Sequence, residues 1–315
     1  MSHRLRDNLD ELDVYVTRIA AQTGIPAAHL EKDFWVTEVL RGAAAASSST
    51  GCSVIFKGGT SLSKAHRLIQ RFSEDVDLIV VLPDAGTTTK DRTLKQFVST
   101  AADTTGLMPE SDPDSTTRGV KRTAAFAYPA NHASGALKAR VLLELGTRGG
   151  ALPFRRLFVQ PLAAEHAESA GLPVDFEEAE PVGLLVLEPV RTLVEKLILL
   201  HAAASCGDQH RKAITARHYY DIDQLLQNGA VLEHLAQDPI DIMAREVTQH
   251  SQAGGLSASA RPPGGFAASP AWDTNSASVA AAAYRSVTKT LLWPNAPVST
   301  FEQCCQRIHS HASIL

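Results

Sequence analysis

Two aspartates, Asp75 and Asp77, open the apolar run "DVDLIVVL" with a single valine between them. Side chains two apart on a strand point to the same face, so both carboxylates face one way while Val76, Leu78 and Val80 turn to the other. Two carboxylates this close repel unless a cation sits with them. Mg2+ suits such a pair, because it takes one or two carboxylates together with substrate phosphates. Upstream, Gly58 and Gly59 form a turn, and Thr60 and Ser61 stand at a helix start, where free backbone N–H groups can cradle phosphate. Each feature alone has a plain structural reading. An Asp-x-Asp pair is often a solvated loop, and Gly-Gly-Thr-Ser is an ordinary turn followed by a cap.

Three further charges lie in apolar surroundings. Glu144 shares a face with Arg140 and Leu142 in "KARVLLELG", where an unpaired charge is costly to bury. It reads either as a third carboxylate for the same cation or as a strand-end glutamate paired with Arg148. Lys196 sits among Val190, Leu193, Val194, Leu197, Ile198, Leu199 and Leu200, a helix apolar almost all round and therefore buried. Its ammonium must snorkel out or meet an anion, the plain alternative being a pair with Glu195. Asp221 lies four residues after Arg217, within pairing distance along a helix. His66, His201, His210 and His218 follow no metal-binding spacing and read as surface or supporting residues. Arg140, Arg148, Arg155, Arg156 and the stretch "DQHRKAITARH" either hold a nucleic-acid backbone or form a solvated charged face.

The elements that must position these groups follow from apolar periodicity. Leu5, Leu9, Leu12, Val16 and Ile19 mark an amphipathic helix ended by Gly24 and Pro26. A second helix runs through "IPAAHLEKDFWVTEVLRG" and stops near Gly42, leaving "AAAASSSTG" as a linker. "CSVIFKGG" is a short strand entering the turn, and "SLSKAHRLIQRF" a helix of about three turns. "DVDLIVVL" is a buried strand. Residues 90–105 form a helix and "PESDPDSTTRG" a loop. "KRTAAFAYP" and "LKARVLLELG" are two strands, paired as a hairpin around "ANHASG", and "VGLLVLEP" is the last strand. Pro189 starts a helix over "PVRTLVEKLILLHAAA". "ARHYYDIDQLLQNG" is a helix ended by Gly229, residues 251–275 are a long loop, and two helices follow near 275–292 and 300–312. The fold class expected is α/β: a mixed sheet with flanking helices over residues 1–188, then a mostly helical domain over 189–315.

The 315 residues carry a formal net charge of −4, so no bulk attraction to nucleic acid follows, and any contact needs a local basic patch. Cys52, Cys206, Cys304 and Cys305 form no CxxC pair and read as reduced thiols of a cytoplasmic protein. "MSHRLRDNLDELDVYV" lacks an apolar signal core, and no run reaches the ~18 apolar residues of a membrane span.

Five stretches, forming four ordered motifs, carry a resemblance. "KGGTSLSK" (57–64) followed by "RFSEDVDL" (71–78), then "PVRTLVEKLILLH" (189–201) and "ARHYYDIDQL" (216–225), with "EKDFWVTEVL" (31–40) ahead of them, resemble the nucleotidyltransferases of the AbiEii/AbiGii toxin family, which includes the MenT-type toxins. The resemblance implies a DNA polymerase β-like fold and transfer of NMP from an NTP to a hydroxyl, with Mg2+ as cofactor. It implies Asp75, Asp77 and Glu144 as metal ligands. Lys57, Gly58, Gly59, Lys64, Arg71 and Ser73 would surround the phosphates, with Thr60 or Ser61 supplying the hydroxyl. Lys196 would bind the triphosphate, and Asp221 would orient Lys196 or a metal-bound water, the helical domain completing the active-site cleft. It further implies the 3′ end of tRNA as acceptor, a block of translation and a cognate antitoxin. Two alternatives stand beside it: NMP transfer to a small molecule or a protein, and binding of nucleotide or RNA without catalysis. The repelling aspartate pair argues against the second, since a pure binder has no need of it.

Overall fold

The computed structural model describes residues 3–73, 75–132, 137–253, 259–273 and 278–315. The chain forms two compact units. The first ends its opening segment at Ala65, resumes over Ser73–Arg148 and closes with Phe154–Val186; the second takes His66–Phe72, Gly149–Pro153 and Leu187–Leu315.

The first unit begins with two helices, α1 (Leu9–Thr23) and α2 (Ala27–Thr50). Asn8 caps α1 by accepting from the Glu11 N–H, and Gly24, at φ 74°, ends it in the left-handed region that glycine tolerates. Strand β1 (Val54–Lys57), helix α3 (Gly58–Lys64), strand β2 (Asp75–Val80) and helix α4 (Thr87–Thr105) follow. Then come β3 (Pro109–Ser111), β4 (Lys121–Ala127), β5 (Arg140–Gly146), β6 (Phe154–Val159), α5 (Leu162–Ala167) and β7 (Val182–Leu187). The seven strands form one mixed sheet in the order β3-β4-β5-β2-β1-β7-β6. β4 and β5 pair antiparallel as expected, although residues 133–136 at the tip of their connection lie outside the described residues. One sheet face is sealed: Val76, Leu78, Val80, Val141, Leu143 and Leu145 are buried, with α2 packed on β2 and β5 and α4 on β4.

In this unit two helix boundaries differ from the sequence reading and two strands are added to it. Helix α2 passes through Gly42 and ends only at Gly51, at φ 68°. The glycine is not a stop: a Cβ there would collide with the Ala101 backbone, so the missing side chain lets α2 and α4 approach closely at Gly42. Helix α3 is two turns rather than three. It stops at Lys64, and Arg67 takes φ 56°. Residues 66–72 then pair within the second unit, with the Phe72 N–H donating to Leu291 O at 2.8 Å and the Trp293 N–H to Gln70 O at 3.0 Å. Strands β3 and β6 were absent from the sequence reading, since β6 has three exposed residues in succession and shows no alternation.

The second unit is helical: α6 (Pro189–Ser205), α7 (Gln209–Thr215), α8 (Arg217–Leu225), α9 (Gly229–Gln237), α10 (Ile240–Ala253), α11 (Ser278–Leu291) and α12 (Phe301–Ser310). Gly229 opens α9 instead of closing α8, because Asn228 accepts from the Val231 N–H and caps a new helix. The stretch 251–275 is not one loop. Helix α10 enters it, and two short 3-10 turns, Phe266–Ala268 and Pro270–Trp272, occupy its far end. Their Trp272 packs edge-on to Tyr219 of α8, ring centroids 5.3 Å apart. Among the described residues no helix is long and apolar enough to cross a membrane.

Candidate active site

Strand register builds the carboxylate face. β2 pairs with β5 in parallel, setting Asp75 beside Leu142 and Asp77 beside Glu144. β1 pairs antiparallel with β2, setting Lys57 beside Asp77, and β4 sets Thr123 beside Glu144. Directly paired residues share a face, so Lys57, Asp77, Glu144 and Thr123 form one row across four strands, with Asp75 one step along β2. Asp75 and Asp77 are half-buried, while Val76 between them is fully buried. Glu144 pairs with Lys121 at 2.8 Å, not with Arg148, and both partners are partly exposed, a class of pair that opens at little cost. Among the described residues no group of three His, Cys, Asp or Glu side chains is gathered to hold a metal. A pair of carboxylates beside a turn with backbone N–H groups nevertheless fits Mg2+, which keeps water and substrate oxygens in most of its coordination positions.

The turn abuts this row. Gly58 takes φ 80°, and a Cβ on it would collide with Asp77 Oδ2. The Thr60 hydroxyl donates to the Asp75 backbone oxygen, and the Ser61 hydroxyl donates to Gly58 O at 2.9 Å. Both hydroxyls are buried. Thr60 thus fastens the turn to the aspartate strand and Ser61 closes the turn on itself, and the turn's backbone N–H groups are what they leave for an anion. Gly58→Ala is expected to cost about 1 kcal/mol of stability through its backbone conformation. It should also cut transfer by roughly a hundredfold through displacement of Asp77. Steady-state rates and thermal melts of the same preparation check this; wild-type activity would remove Gly58 from the site.

Two cations expected at the phosphates have other occupations. Lys64 is buried and pairs with Asp33 of α2 at 2.6 Å, also donating to Gln160 O at 3.0 Å. Asp33 Oδ2 accepts from the Leu162 N–H as well, so this pair ties α2, α3 and the start of α5 together. Arg71 lies in the second unit and is 1 % exposed. Its Nε and Nη2 donate to Asp221 Oδ1 and Oδ2 at 2.6 and 2.7 Å, and its Nη1 donates to Phe72 O. A guanidinium buried in this fork is already satisfied by a carboxylate of matching geometry. Ser73 and Gly59 are half-buried.

Lys196 and Asp221 come together in the second unit. Lys196 of α6 is 4 % exposed and donates to Asp221 Oδ2 at 2.7 Å. Asp221 pairs with Arg71 rather than Arg217, and Lys196 with Asp221 rather than Glu195. The Lys196 ammonium also lies 3.1 Å from His218 Nδ1. His218 is the residue that sequence reasoning passed over. Its spacing of three from Asp221 on α8 was the available signal. Burial pushes the Lys196 ammonium below the ordinary lysine value, with Asp221 opposing and Arg71 adding to the fall. Burial also works against an ionised Asp221, but Arg71 and Lys196 override it and hold the carboxyl well below its usual range. Burial and then Lys196 push His218 down to about 3. His218 is therefore neutral at pH 7, its bare Nδ1 accepting from Lys196.

A depressed histidine makes stability rise with pH. The unfolded chain binds a proton near pH 6.5 that the folded chain refuses until about 3, so stability falls on acidification through that window by up to about 1.4 kcal/mol per pH unit. His218→Asn, whose amide oxygen can replace Nδ1 as acceptor, should flatten the slope between pH 6.5 and 5. Urea titrations across that interval test this; equal slopes for the two proteins would refute it.

Comparison with known proteins adds the following. The family model described as "Nucleotidyl transferase AbiEii toxin, Type IV TA system" matches residues 39–291. Among solved structures, the chain is similar to MenT4, a nucleotidyltransferase toxin from Mycobacterium tuberculosis H37Rv, at 16% identity and a TM-score of 0.45 over 96% of each chain. No curated protein matches.

Proposed function

This chain belongs to the AbiEii nucleotidyl transferase toxin family, and from that premise we propose that it moves NMP from an NTP to a hydroxyl at the 3′ end of tRNA, releasing pyrophosphate and blocking translation. The observation that carries the reading is the contact of the Gly58 turn with Asp77 on a strand face shared with Asp75 and Glu144. Asp75 and Asp77 would hold Mg2+, which when bound supplies positive charge to the phosphate oxygens of the NTP. The backbone of Gly58, Gly59, Thr60 and Ser61 orients the phosphates, and Lys57, beside Asp77 in the sheet, adds positive charge. Glu144, released from its exposed pair with Lys121, accepts the proton of the attacking hydroxyl or serves as a third carboxylate. Lys196 keeps the triphosphate-binding role that the resemblance implies, with Asp221 fixing its ammonium. Lys64 and Arg71 act by positioning, through Asp33 and Asp221. A cytoplasmic location and an antitoxin partner accompany this reading.

Incubation with each labelled NTP, total tRNA and Mg2+ tests it. Label is expected on the tRNA 3′ end, and expression without antitoxin is expected to arrest growth. Label on protein or on a small molecule would move the acceptor elsewhere. No label on any acceptor would overturn the reading.

A further inference from the structure

The sheet face that carries the aspartates continues to an exposed edge that the roles above leave unused. β1 pairs in parallel with β7, setting Ile55 beside Leu185. Ile55 shares its face with Lys57, and Lys57 with Asp77. Leu185 shares its face with Gly183, two residues earlier on β7. A Cβ on Gly183 would point at Phe158 and the Arg156 guanidinium of β6, 3.1 and 3.5 Å away. Arg156 and Phe158, and by alternation Phe154, therefore lie on the same sheet face as Asp75 and Asp77. Phe158 is 63% exposed and Phe154 40%, unusual for large rings on a strand. Phe154–Val159 reads FRRLFV, with two arginines and no acid.

We infer that Phe154, Arg156 and Phe158 form a stacking platform for the single-stranded end of the RNA acceptor. The inference rests on the nucleotidyltransferase reading and adds to it the surface that holds the acceptor. At about 3.3 Å per residue, the two rings stand roughly 13 Å apart with the guanidinium midway. A base can lie on each ring with the connecting phosphates over Arg156, since base–aromatic stacking tolerates any sequence and arginine supplies the opposite charge. From β6 to β2 is three strand spacings, roughly 14 Å. Stacked nucleotides advance by roughly 3.4 Å each along one strand, so about four of them would reach from the platform to the aspartates by way of the half-buried Lys57, since Ile55 on the same face is buried. Gly183 leaves the floor of this path low, and a side chain there would lift the rings off the sheet. Paired bases cannot offer their faces to the rings, so the platform selects single strands.

The test uses the full chain and a fluorescein-labelled single-stranded RNA with a free 3′ hydroxyl, followed by anisotropy without NTP. Phe154→Ala and Phe158→Ala should each raise Kd by roughly five- to a hundredfold, with Phe158→Tyr restoring binding and Phe158→Leu failing to. Arg156→Ala should weaken binding and lower the salt slope by about one. A duplex of equal length should compete poorly. Alanine variants that melt like the wild type and bind the oligonucleotide equally well would overturn the platform. So would rescue by Phe158→Leu, a wild type that binds no single-stranded RNA, or variants that lose a protein partner while keeping RNA. Label transfer run in parallel separates this from its premise. Transfer to RNA that the alanine variants leave intact sinks the platform alone, whereas ring-dependent binding without transfer sinks the premise alone.

Discussion

Asp77→Asn is expected to reduce nucleotide transfer by roughly a thousandfold or more, the equivalent of several kcal/mol of lost charge stabilisation, while leaving the fold intact. Asn fills the same volume, keeps one oxygen and removes only the charge that would hold a divalent cation. Asp77 is half-buried at a strand position whose backbone is fixed by β1 on one side and β5 on the other. Asp75→Asn should behave alike for activity. Its backbone oxygen, which accepts from Thr60, is untouched by the substitution. The measurement is single-turnover transfer at saturating NTP beside a thermal melt. Near wild-type transfer by either variant would end the assignment of the aspartates as metal ligands. A cooperative melt lowered by many degrees would show instead that they serve the sheet.

The aspartate strand and its turn were legible because the signal is local. Period-two alternation put Asp75 and Asp77 on one face and Val76 and Leu78 on the other, and the structure buries that second face completely. Glu144 as Asp77's neighbour follows from sheet register, which sequence gives only if the strand order is known. What resisted reading was charge that other parts of the chain neutralise. Arg71 lies in the motif that resembles a phosphate site, yet its carboxylate is 150 positions away on α8. Nothing within a window of either residue could reveal that. Lys64 with Asp33, and the buried pair of Arg6 with Glu38 at 3.0 Å, are hidden for the same reason. Gly42 and Gly229 misled in the opposite direction. A glycine is read as a stop, but at Gly42 the absent side chain admits a neighbouring helix, and at Gly229 an asparagine cap starts a new one. Strand β6 escaped because exposed Phe and Arg residues in succession show neither period.

Asp221→Ala is expected to cost the second unit about 3–5 kcal/mol, the penalty for stranding a buried charge, here borne by two cations. Arg71 and Lys196 are 1% and 4% exposed, and the carboxylate receives the fork of one and the ammonium of the other. Asp221→Asn should recover part of the loss by keeping an acceptor for the fork. Urea denaturation gives the size, and amide exchange in α6 and α8 shows whether the loss is confined to the second unit. Inactivity of either single variant would leave its cause open, since a destabilised unit loses any function. The variant that separates structure from chemistry replaces Arg71 by Met, Lys196 by Met and Asp221 by Leu together. Removing a buried ionic cluster entirely, in favour of apolar groups of similar volume, is often neutral or stabilising. This protein should fold at least as well as the wild type and lose transfer, because Lys196 would no longer be there for the triphosphate. A stable triple variant that still transfers NMP would reduce Lys196 and Asp221 to packing. A triple variant that is stable and inactive, with NTP affinity lowered by the loss of one cationic contact, would establish that a buried charge cluster, costly to the fold, is kept for the nucleotide.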